Sequence, residues 1–250
     1  MRVLFYTTCG RKWEMFVLPY ILSALHHTED SGVEIVVRDP VEMEKRHRHA
    51  LDILREHFSD RVITLDGQDP STEDVKSGRF WQTYRFIQKP FLWEKAEVTY
   101  IGDCDILILD RDIFDFHMAQ MKRTGLCFSN KKRPGQNRLT GLHVVKREYF
   151  TRWEKKYWTM RKNQDEKVLF KIVRDNIIDP SVVGEHPRPQ HGLHLSLGRE
   201  PDRWGISKER TVRYRELCKQ EIWKAVRPYF DPRYEKRLRT MEAIMEKSGW

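Results

Sequence analysis

The feature that most constrains this 250-residue chain is a repeated order, a short β-rich apolar run followed by an amphipathic helix. Residues 2–8 form the first such run. Trp13, Phe16, Val17, Tyr20, Ile21, Ala24 and Leu25 follow it at the three-and-four spacing of a helix face. Residues 33–37 predict a second strand, Met43, His47, Ala50, Leu51, Leu54 and Phe58 a second helix, and residues 61–65 a third strand.

The order continues. Turn formers at 66–71 predict a loop reaching Gly78, and a helix is expected over 80–88, up to the breaker Pro90. A strand over 98–102 leads into an acidic triplet, followed by the apolar run 106–109, a helix over 112–122 and strands at 126–128 and 142–145. Between those last two strands, the basic segment 130–138 with Pro134 and Gly135 reads as a mobile loop. Helices are expected over 147–160 and 165–174, an irregular stretch over 180–201, and two basic helices from 209 onward, parted around Pro228 and Pro232. The second faces inward through Leu238, Met241, Ile244 and Met245. Strands alternating with helices predict an α/β fold, a mainly parallel central sheet flanked by helices. The expected organisation is one domain over 1–205 and a basic helical C-terminal extension over 206–250 packed on it.

Charged residues make up 33% of the chain and mean hydropathy is -0.71, so a solvated surface surrounds the core. No run approaches the roughly 20 apolar residues of a spanning helix, and the first apolar run is too short for a signal-peptide core. A cytoplasmic protein is therefore expected, with peripheral contact at the inner membrane face as the further option. Cys9, Cys104, Cys127 and Cys218 form no CxxC pair, which predicts reduced thiols. The net charge of +9 and pI near 9.4 attract anions without choosing among nucleic acid, an anionic membrane and a phosphorylated substrate.

Asp103 and Asp105 flank Cys104 at the end of the fourth predicted strand, so strand alternation points both carboxylates to one side at the sheet's carboxyl edge. Two close carboxylates repel unless a cation lies between them. Hard oxygen ligands suit Mg²⁺ or Mn²⁺, with a diphosphate completing the coordination. The plain alternative is a pair of surface turn aspartates.

Tyr84-Arg85-Phe86, followed by Val98-Thr99-Tyr100-Ile101-Gly102-Asp103-Cys104-Asp105, resembles the corresponding stretch of family 8 and related GT-A glycosyltransferases, where an aromatic-Arg helix precedes a strand ending in Asp-x-Asp. The resemblance continues at Leu139-Thr140-Gly141-Leu142-His143-Val144-Val145, at Asp165-Glu166 and at His191-Gly192-Leu193-His194-Leu195-Ser196-Leu197-Gly198-Arg199. It implies a GT-A fold and a DxD metal site in which His194, with His191 in reserve, is the third ligand beside Asp103 and Asp105. It also implies phosphate contacts from Gly198 and Arg199, and an Arg85 that reaches the donor. The family's usual Lys-Pro-Trp is replaced here by Arg199-Glu200-Pro201 and a later Trp204. An imidazole among the ligands favours Mn²⁺ over Mg²⁺.

Thr7 and Thr8 occupy the place where GT-A folds cradle the nucleotide, and Thr8 equally suits a cap on the following helix. Lys76 and Arg79 are further basic candidates. Asp165 or Glu166 is either a general base toward an acceptor hydroxyl or a carboxylate at a helix N-terminus. The implied reaction moves a sugar from a nucleotide-diphosphate donor, UDP-sugars favoured, to a glycan or lipid-linked acceptor, as in polysaccharide biosynthesis. The alternatives are a nucleotidyltransferase of similar fold and a non-catalytic basic protein binding RNA or an anionic surface. No RNA-binding signature is present, so no nucleic-acid partner is expected.

Overall fold

The computed structural model describes residues 1–67, 78–151, 165–184 and 191–249. Its centre is a five-stranded sheet ordered β3-β2-β1-β4-β6, formed by β1 (Val3–Cys9), β2 (Ser31–Val37), β3 (Ile63–Gly67), β4 (Val98–Ile101) and β6 (His143–Lys146). The β1–β2, β2–β3 and β1–β4 pairs are parallel, and β6 runs antiparallel to β4. Every residue of β1 is buried, as expected of a central strand covered on both faces.

Alternation along β1 divides the interior. Val3, Phe5 and Cys9 enter one core with α1 (Val17–His27), α2 (Pro40–His57) and the C-terminal helices, whereas Tyr6 enters the other with α3 (Gly78–Ile87) and α6 (Asp165–Asn176). Burying a side chain the size of Phe5 contributes on the order of 2 kcal/mol. α2 starts where the sequence punctuates it: the Asp39 carboxylate accepts from Glu42 N at 3.0 Å, and Pro40 opens the helix.

After β4 the chain forms β5 (Ile106–Ile108) and α4 (Ile113–Thr124), ended by Gly125 in the left-handed conformation. Residues 126–128 are not a regular strand but reach the sheet through one antiparallel bridge, Phe128 to Val145. α5 covers Arg147–Thr151, and the rest of the helix expected to 160 lies outside the described residues. So do residues 68–77, with Lys76, and the side chain of Arg79. The stretch expected to be irregular from 180 holds a 3₁₀ turn (Pro180–Val183) and β7 (Gly192–His194), which pairs antiparallel with β5 as a second, two-stranded sheet.

Three C-terminal helices replace the expected two: α7 (Lys208–Lys219), α8 (Glu221–Val226) and α9 (Pro232–Lys247). Their apolar residues join the first core, where Trp223 meets Tyr214 and Phe230 edge-on and Tyr234 meets Phe16. Much of their charge is internally matched. Arg210 and Arg213 pair with Asp110, and Arg227 with Glu235 and Glu242. Among the described residues no helix is long and apolar enough to cross a membrane.

Candidate metal centre and cleft

β1, β2 and β3 build outward in one direction, and β4 returns to the other side of β1. Crevices form at such a reversal, beyond the carboxyl ends of the strands. Here Gly10, just after β1, and Asp103, just after β4, line a cleft of about 240 Å³.

β4 ends at Ile101 and the acidic triplet runs into a turn at Cys104 and Asp105, so it is this turn and not strand alternation that aims the two carboxylates. Asp103, Cys104 and Asp105 all line the cleft, with the Cys104 Sγ 3.7 Å from that of Cys9. The third partner comes from 89 positions later through strand pairing. β5 begins at Ile106, which pairs with His194, and Leu195 N donates to Asp105 O at 2.9 Å. Gly192 makes this possible, because a Cβ there would collide with the carbonyl oxygen of Leu107.

One ligand atom from each of Asp103, Asp105 and His194 lies within 4.8 Å of the others. His194 Nε2 is 2.7 Å from Asp105 Oδ1 and 3.6 Å from Asp103 Oδ2. Adjacent ligands of an octahedral ion with bonds of about 2.1 Å stand about 3 Å apart, so these separations suit a small divalent cation. Asp105 Oδ1 is buried, and its near neighbour is the His194 ring nitrogen. Burial alone would raise the Asp105 pKa, but His194, Ser196 and Arg199 outweigh it and hold the carboxylate below its ordinary range. The residues therefore fit a divalent metal.

Arg85 organises the neighbouring wall. It is 4% exposed, lies against the Phe86 ring at 4.6 Å, and bridges Asp103 to Asp165 Oδ2 at 3.1 Å. It also donates to the Gly102 carbonyl at 3.2 Å, fixing the turn that carries Asp103. Glu166 is engaged by Arg133 at 2.7 Å and Arg138 at 2.8 Å. The segment expected to be a mobile loop is thus pinned through these two arginines, and a bridge from Lys132 to Leu139 closes its base. Arg199 also lines the cleft but makes no ion pair among the described residues; burial lowers its pKa and Asp105 opposes that shift.

Several expected site residues take other places. Thr7 is fully buried and its hydroxyl donates to Gly102 O at 2.9 Å, so it supports the β4 exit instead of facing a donor. Thr8 does line the cleft, but it caps no helix: its hydroxyl donates to the Trp81 carbonyl. His191 stands outside the metal group, with Nδ1 2.9 Å from Tyr100 Oη and Nε2 2.9 Å from His117 Nε2 in a buried chain. Gly198 is exposed, and a Cβ there would meet nothing within 4 Å. Asp165 lines the cleft as Arg85's second partner, and its Oδ1 accepts from Glu166 N at 2.8 Å.

Sequence reasoning missed Trp13, Trp81, Gln82, Arg133, Arg138 and Ser196, all of which line the cleft. Trp81 and Gln82 precede Arg85 by four and three positions, the spacing that places side chains on one helix face. Trp81 lies so close over Gly10 that a Cβ there would fall 2.5 Å from its Cδ1. Arg133 and Arg138 flank the Pro134-Gly135 turn, and only the fold brings them to Glu166.

No protein-family model matches this chain, and no curated protein matches it. Among solved structures it is similar to two of the glycosyltransferase GlyE from Streptococcus pneumoniae TIGR4, one of them the apo form, each at 11% identity and a TM-score of 0.47. Both comparisons cover 92% of this chain, which spans 63% and 64% of those longer chains.

Proposed function

We propose that this protein is a metal-dependent glycosyltransferase that moves a sugar from a nucleotide-diphosphate donor to a hydroxyl acceptor. The observation that carries the reading is the convergence of Asp103, Asp105 and His194 at the carboxyl edge of the sheet, with Arg199 lining the same cleft. Asp103, Asp105 and His194 would hold the cation, Mn²⁺ favoured by the imidazole, and its role when bound is to neutralise charge on a departing diphosphate.

Arg199 lines this cleft, and a guanidinium binds phosphate oxygens through paired N–H donors. Arg85 acts on Asp103 and Asp165, holding both in register with the turn after β4. Glu166 is committed to Arg133 and Arg138 and Asp165 to Arg85, but the Asp165 side chain is the more exposed, 23% against 5%, and this reading gives it the role of receiving an acceptor proton. A glycan hydroxyl is the acceptor this reading implies, and a UDP-sugar the favoured donor.

The test is a thermal-shift panel of UDP, GDP, CDP and dTDP, each with and without Mn²⁺, on the wild type and Asp105→Asn. A ligand at about 100 times its Kd adds about 2.7 kcal/mol, or roughly 5–11 °C for a chain of this size. The expected result is a shift with one nucleotide that needs both Mn²⁺ and Asp105. No shift with any nucleotide, or an equal shift in Asp105→Asn, would remove the reading. Release of nucleoside diphosphate in turnover, as opposed to inorganic pyrophosphate, separates it from a nucleotidyltransferase.

A further inference from the structure

A second and larger concavity, about 960 Å³, lies on the other side of the 3₁₀ turn Arg11–Phe16. Gly10 and Trp13 line the metal cleft, whereas Arg11, Lys12 and Glu14 line this groove, so one short turn forms the wall between the two. Its other walls are the middle of α2 and the chain entering α9.

Six lysine and arginine side chains face the groove against three carboxylates. Two of the carboxylates are already matched, Glu14 by Arg46 at 2.8 Å and Asp231 by Arg233 at 2.7 Å. Arg11, Lys12, Lys45 and Arg48 are exposed and make no ion pair among the described residues. By contrast, most arginines around the metal cleft and on the C-terminal helices are paired. Unmatched cations converging on a concavity repel one another until an anion enters, and a ligand with several phosphate oxygens satisfies them together.

We propose that this groove binds the phosphate-bearing portion of the acceptor, a phosphorylated or diphosphate-linked sugar whose hydroxyl end reaches over the 3₁₀ turn into the metal cleft. The identification of the ligand as the acceptor rests on the transferase reading; the phosphate site itself does not. The donor's diphosphate has its own place at Arg199 and the Asp103-Asp105-His194 group, and the groove holds no such group. Concavity favours a discrete chain entering the groove over a flat bilayer resting on it. Tyr229, 41% exposed and 5.2 Å from His49, gives the same groove an aromatic face for the C–H side of a sugar ring, which phosphate alone would not require.

The test uses inorganic tripolyphosphate as a soluble probe, measured by isothermal titration calorimetry without metal. The groove variant is Arg11→Ala/Lys12→Ala/Lys45→Ala/Arg48→Ala. A control, Lys95→Ala/Lys122→Ala/Lys219→Ala/Lys247→Ala, makes the same change in net charge at exposed positions elsewhere. The groove variant should bind at least about tenfold more weakly and the control within about twofold of wild type. The UDP and Mn²⁺ thermal shift should be unchanged in the groove variant. Equal weakening in both variants would reduce the effect to net charge and overturn the proposal, as would no binding by the wild type. Retention on phosphatidylcholine vesicles containing phosphatidylglycerol, without tripolyphosphate binding, would assign the face to a membrane and equally overturn it. If the nucleotide shift fails while the groove binds as expected, the transferase reading falls and the phosphate site stands.

Discussion

Replacing Arg85 with Met tests whether one buried guanidinium organises the cleft. The thioether chain keeps most of the volume and the contact with Phe86, but it removes the cation that Asp103, Asp165 and the Gly102 carbonyl share. Breaking a buried ion pair by deleting one partner typically costs 3–5 kcal/mol, since the remaining charge loses its compensation. Here the stranded side chains are 16% and 23% exposed, so water recovers part of that loss. A cost of about 3 kcal/mol is expected, lowering Tm by roughly 6–12 °C. Two internal comparisons isolate the cause. Asp165→Asn in the Arg85→Met background should restore part of the loss, a coupling of the size that contacting residues show. Arg85→Lys should fall between wild type and Arg85→Met, because an ammonium keeps the charge but cannot span both carboxylates with a planar fork. Differential scanning calorimetry without metal reads wild type, Arg85→Met, Asp165→Asn, the double variant and Arg85→Lys. An Arg85→Met variant melting within about 2 °C of wild type, or strict additivity with Asp165→Asn, would refute the view of Arg85 as a hub.

The remaining predictions concern the frame. Glu34, buried in β2, accepts from Phe91 N at 2.7 Å and Leu92 N at 2.8 Å; burial pushes its pKa up to about 7, with Asp66 adding to the rise and the two N–H groups opposing it. Because the folded state then holds a proton that the unfolded chain releases near 4.3, stability is present at low pH and lost as pH rises through about 7. Burial pushes His27 and His143 down to about 3 and His117 to about 4, and these act the opposite way, losing stability as pH falls through about 6.5. Between about pH 6.5 and 8 the histidines raise stability while Glu34 lowers it, so the comparison of two proteins isolates Glu34: relative to Glu34→Gln, wild type should lose about 1 kcal/mol across that range, read as a change in the difference between their Tm values. Equal slopes would refute the assignment. Gly192→Ala forces a Cβ onto the Leu107 carbonyl and should cost about 1–3 kcal/mol, with Mn²⁺ stabilisation reduced because β7 no longer delivers His194; full retention of that stabilisation would contradict the strand-pairing account. Trp223→Ala should cost about 3–5 kcal/mol in a single calorimetric transition, whereas an early, separate melt of the C-terminal helices would show that residues 206–250 fold apart from the rest.

The parts legible in the sequence are those set by local patterns. The strands of the central sheet announce themselves as β-branched and apolar runs, and α1, α2 and α6 by three-and-four spacing, because each face they bury is continuous along the chain. Asp103 and Asp105 were legible for the same reason. They come just past a strand that ends at the sheet's carboxyl edge, although a turn and not strand alternation aims the two carboxylates. The three-residue strand β7 carries too little pattern to be read, and Pro- and Gly-rich neighbours hide it. It exists as a strand because β5 offers it a partner. The single bridge at Phe128 is the converse case, an apolar run that finds one pairing position and no ladder.

The same division runs through the site. His191 and His194 are three positions apart in the sequence, so composition and motif cannot say which of them faces the aspartates. Strand pairing decides it: Ile106 opposite His194 brings that ring to Asp105, while His191 precedes β7 and meets Tyr100 and His117 inside the protein. Thr7 and Thr8 divide in the same way, one side chain pointing into the β4 turn and its neighbour toward the cleft. Arg133, Arg138 and Glu166 needed the tertiary fold, since their encounter spans about thirty positions and no local period links them. A residue type with a spacing can nominate a ligand, but a buried ion pair or strand register is what aims it. In this chain, register places the imidazole beside the two carboxylates, and Arg85 sets the turn that presents the first of them.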